Sequence, residues 1–480
     1  MSWAETHGAF LHPRVEIYQD DVTKFSMRVR KNGTTNGSSV QLRAGETILS
    51  CPTSMTLSYL NALTDGPLES SRSEKRTSTA FPASFMEINP PHVIGRFYLI
   101  QQYLEGIASA WSAYIETLPQ PEHLASWCLP AFWPSEDAAL LDRTNAAGSI
   151  EEMQGNVAAE FKKARKLLKE LDYPGWEAYT RVLYNWAFCI FTSRSFRPSL
   201  VLSAEKQQQV AMLLPVECQL DDFSVLLPLF DIPNHSPTAM ATWDTAADPA
   251  GVHFRIEQDY GPGEQIFNNY GMKTNSELLL GYGFVLPETD GLHNDYVHLR
   301  KRTQVEVEDP AVGDDAGNDI RDFLISLRPL SHPSSVIGRS RQFAVPDGCE
   351  PLAATFDFFE DALLWDLCFH LATPDEKTAM GPVEDGAVPD LLELRRQQRL
   401  ALSKALRTEP LPELLDLSRR VKEALVAKLG LDYERLIESE VETDGGSTPN
   451  QRLALQYRKQ YAKVLAIAIT ALDPNIALPR

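Results

Sequence analysis

Two short polar turns carry the residue types best suited to chemistry. The first closes the apolar run LLPLFDIPNHSP (226–237) with Asp231, Asn234 and His235. The second closes YGPGEQIFNNYG with Asn268, Asn269, Tyr270 and Gly271, and NSELLLGYGF follows, with Tyr282 and Phe284 near its end. Amide, imidazole and phenol groups at the ends of core segments are how a pocket for a polar small molecule is usually assembled. A metal role for His235 is disfavoured, because no second ligand stands at helical or turn spacing from it. A further candidate is Arg194 in SRSF (193–196), whose guanidinium suits a carboxylate.

The elements that must position these groups come in alternating style. Residues 10–60 read as short strands: VEIYQDD, FSMRVRK, SVQLRAGETILSCP and MTLSYL are broken by Asn, Gly, Asp and Pro. A Ser- and charge-rich loop (64–91) leads to a helical stripe from Phe97 to Tyr114. Helices are predicted over 151–171, 176–191 and 203–214. The first buries Phe161, Ala164, Leu168 and Leu171 and turns Lys162, Lys163, Arg165, Lys166 and Lys169 to solvent. Strand-like runs return over 221–285, a short helix is expected after Gly271, and Tyr282 and Phe284 are read as strand aromatics. After an acidic loop (306–319), helices are expected at 352–371, 389–406, 411–429 and 450–472. The fold class is α+β: residues 1–110 and 221–290 form a β core, 111–220 a helical insert, and 291–480 a helical C-terminal domain.

Length and composition narrow the function. A chain of 480 residues exceeds one ordinary core. Its net charge of -20 argues against a general nucleic-acid binder and suits a basic protein partner. The six cysteines show no C-x-x-C spacing, so reduced thiols in an intracellular protein are expected. No leader-like or membrane-spanning run is visible. Walker, nucleophile-elbow, zincin and EF-hand motifs are missing, and the G-x-G at Gly281 and Gly283 lacks the third glycine of a dinucleotide site.

The segments LRAGETILSCP, SAYIETLPQPEHLASWCLPAFWP, SRSF, DIPNH, GEQIFNNYGMKTNSELLLGYGF and NQRLALQYRKQYAKVL, in that order, resemble SET-domain protein methyltransferases. The subgroup is the one with a helical insert and a helical substrate-binding domain like that of the RuBisCO large-subunit lysine methyltransferase. The resemblance implies S-adenosylmethionine as donor and transfer to a lysine of a non-histone protein, a ribosomal protein being one candidate. It implies a cytoplasmic or nuclear monomer without a metal.

Residue by residue, the resemblance makes Tyr270 the catalytic tyrosine. Asn234, His235 and Arg194 become donor-binding residues, and Tyr282 and Phe284 become the lining of the target channel. Direct displacement at a sulfonium methyl needs alignment and a dry path more than a strong acid or base. One stretch departs from the family: TKFSMRV (23–29) puts Lys24 and Ser26 where a G-x-G is expected at the donor. Lys24 must then face solvent or the donor carboxylate. The departure supports an alternative, a catalytically silent binding module of the same fold; a histidine target is the other.

Overall fold

The computed structural model describes residues 1–20, 23–31, 41–68, 79–127, 129–245, 251–288, 296–302, 320–383, 390–439 and 448–479. The acidic stretch 306–319, residues 69–78 of the Ser-rich loop, residues 442–447 and Cys128 fall outside them. Two compact units emerge. The first takes Met1–Phe132, Glu151–Lys273 and Gly281–Gly283; the second takes Trp133–Ile150, Thr274–Leu280 and Phe284–Arg480.

Three small sheets build the first unit. Strands β1 (Phe10–Leu11), β2 (Val15–Asp20), β3 (Lys24–Val29), β4 (Thr47–Pro52) and β5 (Leu57–Ser58) come from the N-terminal segment. The later segments supply β6 (Ser195–Phe196), β7 (Val225–Leu226), β8 (Ala241–Asp244), β9 (Gly251–Ile256) and β10 (Gln265–Ile266). The sheet orders are β1-β4-β9-β8, β10-β3-β2 and β5-β7-β6, so every sheet joins residues from before and after the insert. In β3, Ser26, Met27 and Val29 are buried, and the hairpin register pairs Val15 with Val29 and Asp20 with Lys24. Gly251 faces Pro52 across β9 and β4; a Cβ there would lie 2.9 Å from the Cys51 carbonyl oxygen, so only glycine fits.

Helix Pro91–Glu105 packs against helix Arg181–Arg194 of the insert. An aromatic cluster fills the space beside them, with Phe97 stacked on Tyr179 at 5.5 Å between centroids and Tyr184 at 5.4 Å from Phe97. The helical stripe expected from Phe97 to Tyr114 is not one helix. Gly106 takes φ +57°, which a right-handed helix cannot continue, and Tyr114 reappears in the separate turn Ser112–Ile115. Helix Asn145–Glu170 buries Ala164 and Leu168 as expected, whereas Leu171 lies beyond its end and is exposed. On its basic face, Arg165 and Lys169 lie over the Trp176 ring.

The second unit is mainly helical, with helices Asp361–Leu371, Leu391–Ala405, Leu415–Glu438 and Pro449–Leu472 among its elements. A capping box between Thr448 and Gln451 starts the last of these. Buried Arg458 donates to carbonyl oxygens of Leu140, Asp142 and Leu436, which fixes that helix to two neighbours. An antiparallel pair, β11 (Tyr296–Arg302) and β12 (Ile320–Ser326), was not expected from sequence. No described helix is long and apolar enough to cross a membrane.

Candidate active site

The two polar turns meet in the first unit. His235 and Asn268 form a parallel bridge: Asn268 N–H donates to the Asn234 carbonyl (2.8 Å) and Ser236 N–H to the Asn268 carbonyl (3.0 Å). The Asn268 side chain is buried, and its Oδ1 accepts from Trp243 Nε1 at 3.2 Å. This crossing places Tyr270 over His235. The Tyr270 N–H donates to His235 Nδ1 (3.1 Å), and the rings stack at 5.0 Å. Accepting at Nδ1 fixes the neutral tautomer with its proton on Nε2. Burial agrees, pulling the imidazole down to about 4, so His235 is uncharged at neutral pH.

Tyr270 is anchored at both ends. Its hydroxyl donates to the Pro233 carbonyl at 3.0 Å, leaving the oxygen lone pairs to accept. Burial holds this phenol well above its ordinary pKa, so it stays protonated and acts as a positioned dipole rather than a base. Tyr282 stacks on its other face at 5.1 Å. The short helix expected after Gly271 is Asn275–Tyr282; Tyr282, read as a strand aromatic, is its last residue, because the apolar run LLLGY takes the helical alternative that periodicity leaves open. Phe284 is not in a strand either, and it belongs to the second unit, where its N–H donates to the Leu278 carbonyl (3.5 Å).

A cavity of about 280 Å³ lies beside this group, with Thr23, Lys24, Phe25, Tyr114, Arg194, Asp231 and Ile232 among its walls. Arg194 Nη1 reaches the Asp231 carbonyl (3.3 Å) and carboxylate (3.5 Å), and Tyr114 donates to the same carboxylate at 3.2 Å. Burial pushes the Asp231 carboxyl up, against the pull of Arg194. Lys24 has φ +72°, the left-handed conformation that glycine favours, so the backbone shape of a glycine survives at a position that now bears a side chain. That side chain crosses the cavity wall, and Nζ donates to the Thr117 and Leu118 carbonyls, both at 3.1 Å. Desolvation, then the Arg194 charge, lowers its pKa. Ser26 is fully buried and takes a 2.7 Å bond from Asn234 Nδ2, which also reaches Thr23 Oγ1 at 3.2 Å. The Asn234 amide nitrogen therefore braces β3 rather than projecting into the cavity.

A second cavity, of about 320 Å³, is lined by Tyr59, His92, Arg96, Phe191, Phe196, Arg197, Asp221, Asp222 and Tyr282, among others. The end of helix Arg181–Arg194 serves both cavities: Arg194 lines the first, whereas Phe191, Thr192 and, across the step into β6, Ser195, Phe196 and Arg197 line the second. Tyr282 lines the second cavity and stacks on Tyr270. Sequence reasoning missed Tyr114, counted only as part of a helical stripe, and Thr23. It also gave no warning of the second cavity, whose walls come from five separated stretches.

The arrangement is a familiar one. No protein-family model matches the chain. It is similar to a solved structure of the SET domain of LSMT bound to lysine and AdoHcy, with TM-score 0.60 and 15% identity, covering 98% of this chain and 90% of that one. The fold is therefore that of a SET-domain protein with a helical insert and a helical C-terminal part. Among curated proteins, the chain is 29% identical over 288 residues to the ribosomal lysine N-methyltransferase set10 of Schizosaccharomyces pombe, covering 59% of this chain and 44% of that protein. It is 25% identical over 299 residues to the N-lysine methyltransferase SETD6 of Mus musculus, covering 60% and 54%. The chain thus spans about half the length of these curated relatives, and they match the subgroup that its motifs resemble.

Proposed function

We propose that this protein is an S-adenosylmethionine-dependent protein-lysine N-methyltransferase that acts on a non-histone protein, a ribosomal protein being the first candidate. The observation that supports it most is the braced Tyr270, bonded to Pro233 and His235 and stacked on Tyr282, together with one cavity lined by Arg194 and Asp231 and a second lined by Tyr282. A donor held in the first cavity and an amine entering by the second would meet at Tyr270. The set10 and SETD6 names point the same way.

The first cavity suits the donor. Arg194 and Lys24 offer cations for a carboxylate, Asp231 an anion for an ammonium, and Phe25, Tyr114 and Ile232 apolar surface. When bound, S-adenosylmethionine supplies an electrophilic methyl group. The protein's part is positional. Tyr270, held by Pro233 and His235, presents oxygen lone pairs that can orient a methyl by weak C–H···O contacts. The Tyr270–Tyr282 stack excludes water from the approaching lysine and favours its neutral, nucleophilic form. The amine proton leaves to solvent, since Tyr270 stays a protonated phenol. Asn234 acts one step back, through Ser26 and Thr23. We place the enzyme in the cytoplasm as a monomer whose acidic surface suits a basic substrate.

Two measurements test this reading. S-Adenosylhomocysteine should raise the melting temperature by mass action, and radiolabelled methyl groups should pass from S-adenosylmethionine to lysine in a ribosomal-protein extract. Donor binding without transfer would favour the silent binding module. Label recovered on histidine would replace the lysine assignment.

A further inference from the structure

We propose that residues 212–222 form a docking lip for an acceptor peptide that carries basic and aliphatic residues beside its target lysine. The inference rests on the reading of the 320 Å³ cavity as the acceptor side. Asp221 and Asp222 line that cavity and are exposed. Just before them, Met212 is 78% exposed, Leu213 61% and Val216 fully exposed at 104%. Single exposed apolar residues are ordinary, but three within five positions leading to a cavity form a patch of the kind that marks an interaction site.

The lip is built rather than loose. The Cys218 N–H donates to the Pro215 carbonyl (2.9 Å), and the Gln219 N–H donates to Asp222 Oδ2 (2.7 Å). Asp221 accepts from both Ser199 N–H (3.0 Å) and Ser199 Oγ (2.7 Å).

The exposed charge of the lip and the cavity is mainly acidic: Glu217, Asp221 and Asp222 stand against Arg197, the one exposed guanidinium among the cavity's described residues, while Arg96 is paired with Glu160. Opposed to such a surface, arginine or lysine beside the acceptor gains charge complementarity, and a leucine covers the apolar part.

The test uses two fluorescently labelled lysine-centred peptides, one flanked by arginine and leucine and the other by glutamate and serine. Binding is read by anisotropy at low ionic strength with S-adenosylhomocysteine present, and methyl transfer to each peptide is measured separately. The basic peptide should bind about tenfold tighter or more. Glu217→Lys combined with Val216→Ser should abolish that difference while S-adenosylhomocysteine affinity and melting temperature hold. Equal binding of the two peptides, no binding of either, or a preference that survives in the variant would each overturn the lip. A basic peptide that binds in the expected way and is never methylated keeps the lip and removes the methyltransferase reading. Equal methylation with equal binding does the reverse.

Discussion

The two cavities of the first unit differ in how far their walls are tied to one another. The walls of the smaller one are tied to each other: Arg194 and Tyr114 to Asp231, Asn234 to Ser26 and Thr23, Lys24 to the Thr117 and Leu118 carbonyls. The larger one is more mixed: His92 and Arg96 are held by Glu160, Asp221 is bonded to Ser199, and Arg197 is exposed. A site whose walls hold one another suits one invariant ligand, since pre-organisation spares the cost of ordering on binding. A site with adaptable walls suits a variable one. In a two-substrate transfer the cofactor is the invariant partner and the polypeptide the variable one.

This contrast can be broken from the smaller cavity outward. The largest effect is expected from Arg194→Met. Asp231, almost wholly buried, would lose its countercharge, and unfolding free energy should fall by about 3 kcal/mol; chemical denaturation reads it, and a loss under 1 kcal/mol would show that the pair is not structural. Tyr270→Phe comes next. It removes one oxygen and should cut turnover roughly a hundredfold, about 2.7 kcal/mol, with donor affinity near normal. Full activity would make Tyr270 a packing residue.

The third test is acid sensitivity. Because the folded pKa of His235 lies near 4, below the unfolded value of 6.5, the unfolded chain binds the proton first. The contribution of His235 is whole above pH 6.5 and shrinks as pH falls towards 4, by about 2 kcal/mol at pH 5. His235→Gln should lose that part of the pH dependence when stability is compared at pH 7 and pH 5. An unchanged pH slope would mean that the imidazole is not held neutral. Lys24→Gly should have the smallest effect on folding, within about 1 kcal/mol. Relief of the positive φ offsets the lost bonds to the two carbonyls. Donor affinity should fall all the same, and an unaltered affinity would remove Lys24 from the donor site.

Part of the site was legible in the sequence. The two polar turns are compact motifs, so DIPNH and FNNYG already pointed to Asn234, His235 and Tyr270 converging. The alternation of strand-like and helical stretches also indicated a β core split by helices. Geometry at single bonds stayed hidden. Nothing local announces that Asn234 would spend its amide nitrogen on Ser26, or that Lys24 would keep a glycine-like φ. The short helix after Gly271 was legible, but its end at Tyr282 was not, because the apolar run LLLGY satisfies either period. Both cavities were illegible for a different reason: their walls come from separated stretches that meet only through tertiary contacts, and no short window contains them.

The step between Arg194 and Ser195 also has a thermodynamic consequence. One peptide unit forms part of the wall of both chambers, so a ligand that shifts this backbone on one side changes the shape offered on the other. Linkage makes such coupling mutual: if the first ligand alters the affinity for the second, the second alters the affinity for the first by the same factor. Donor and acceptor would then bind as a coupled pair, and the spent donor would influence release of the methylated chain through a single turn of backbone.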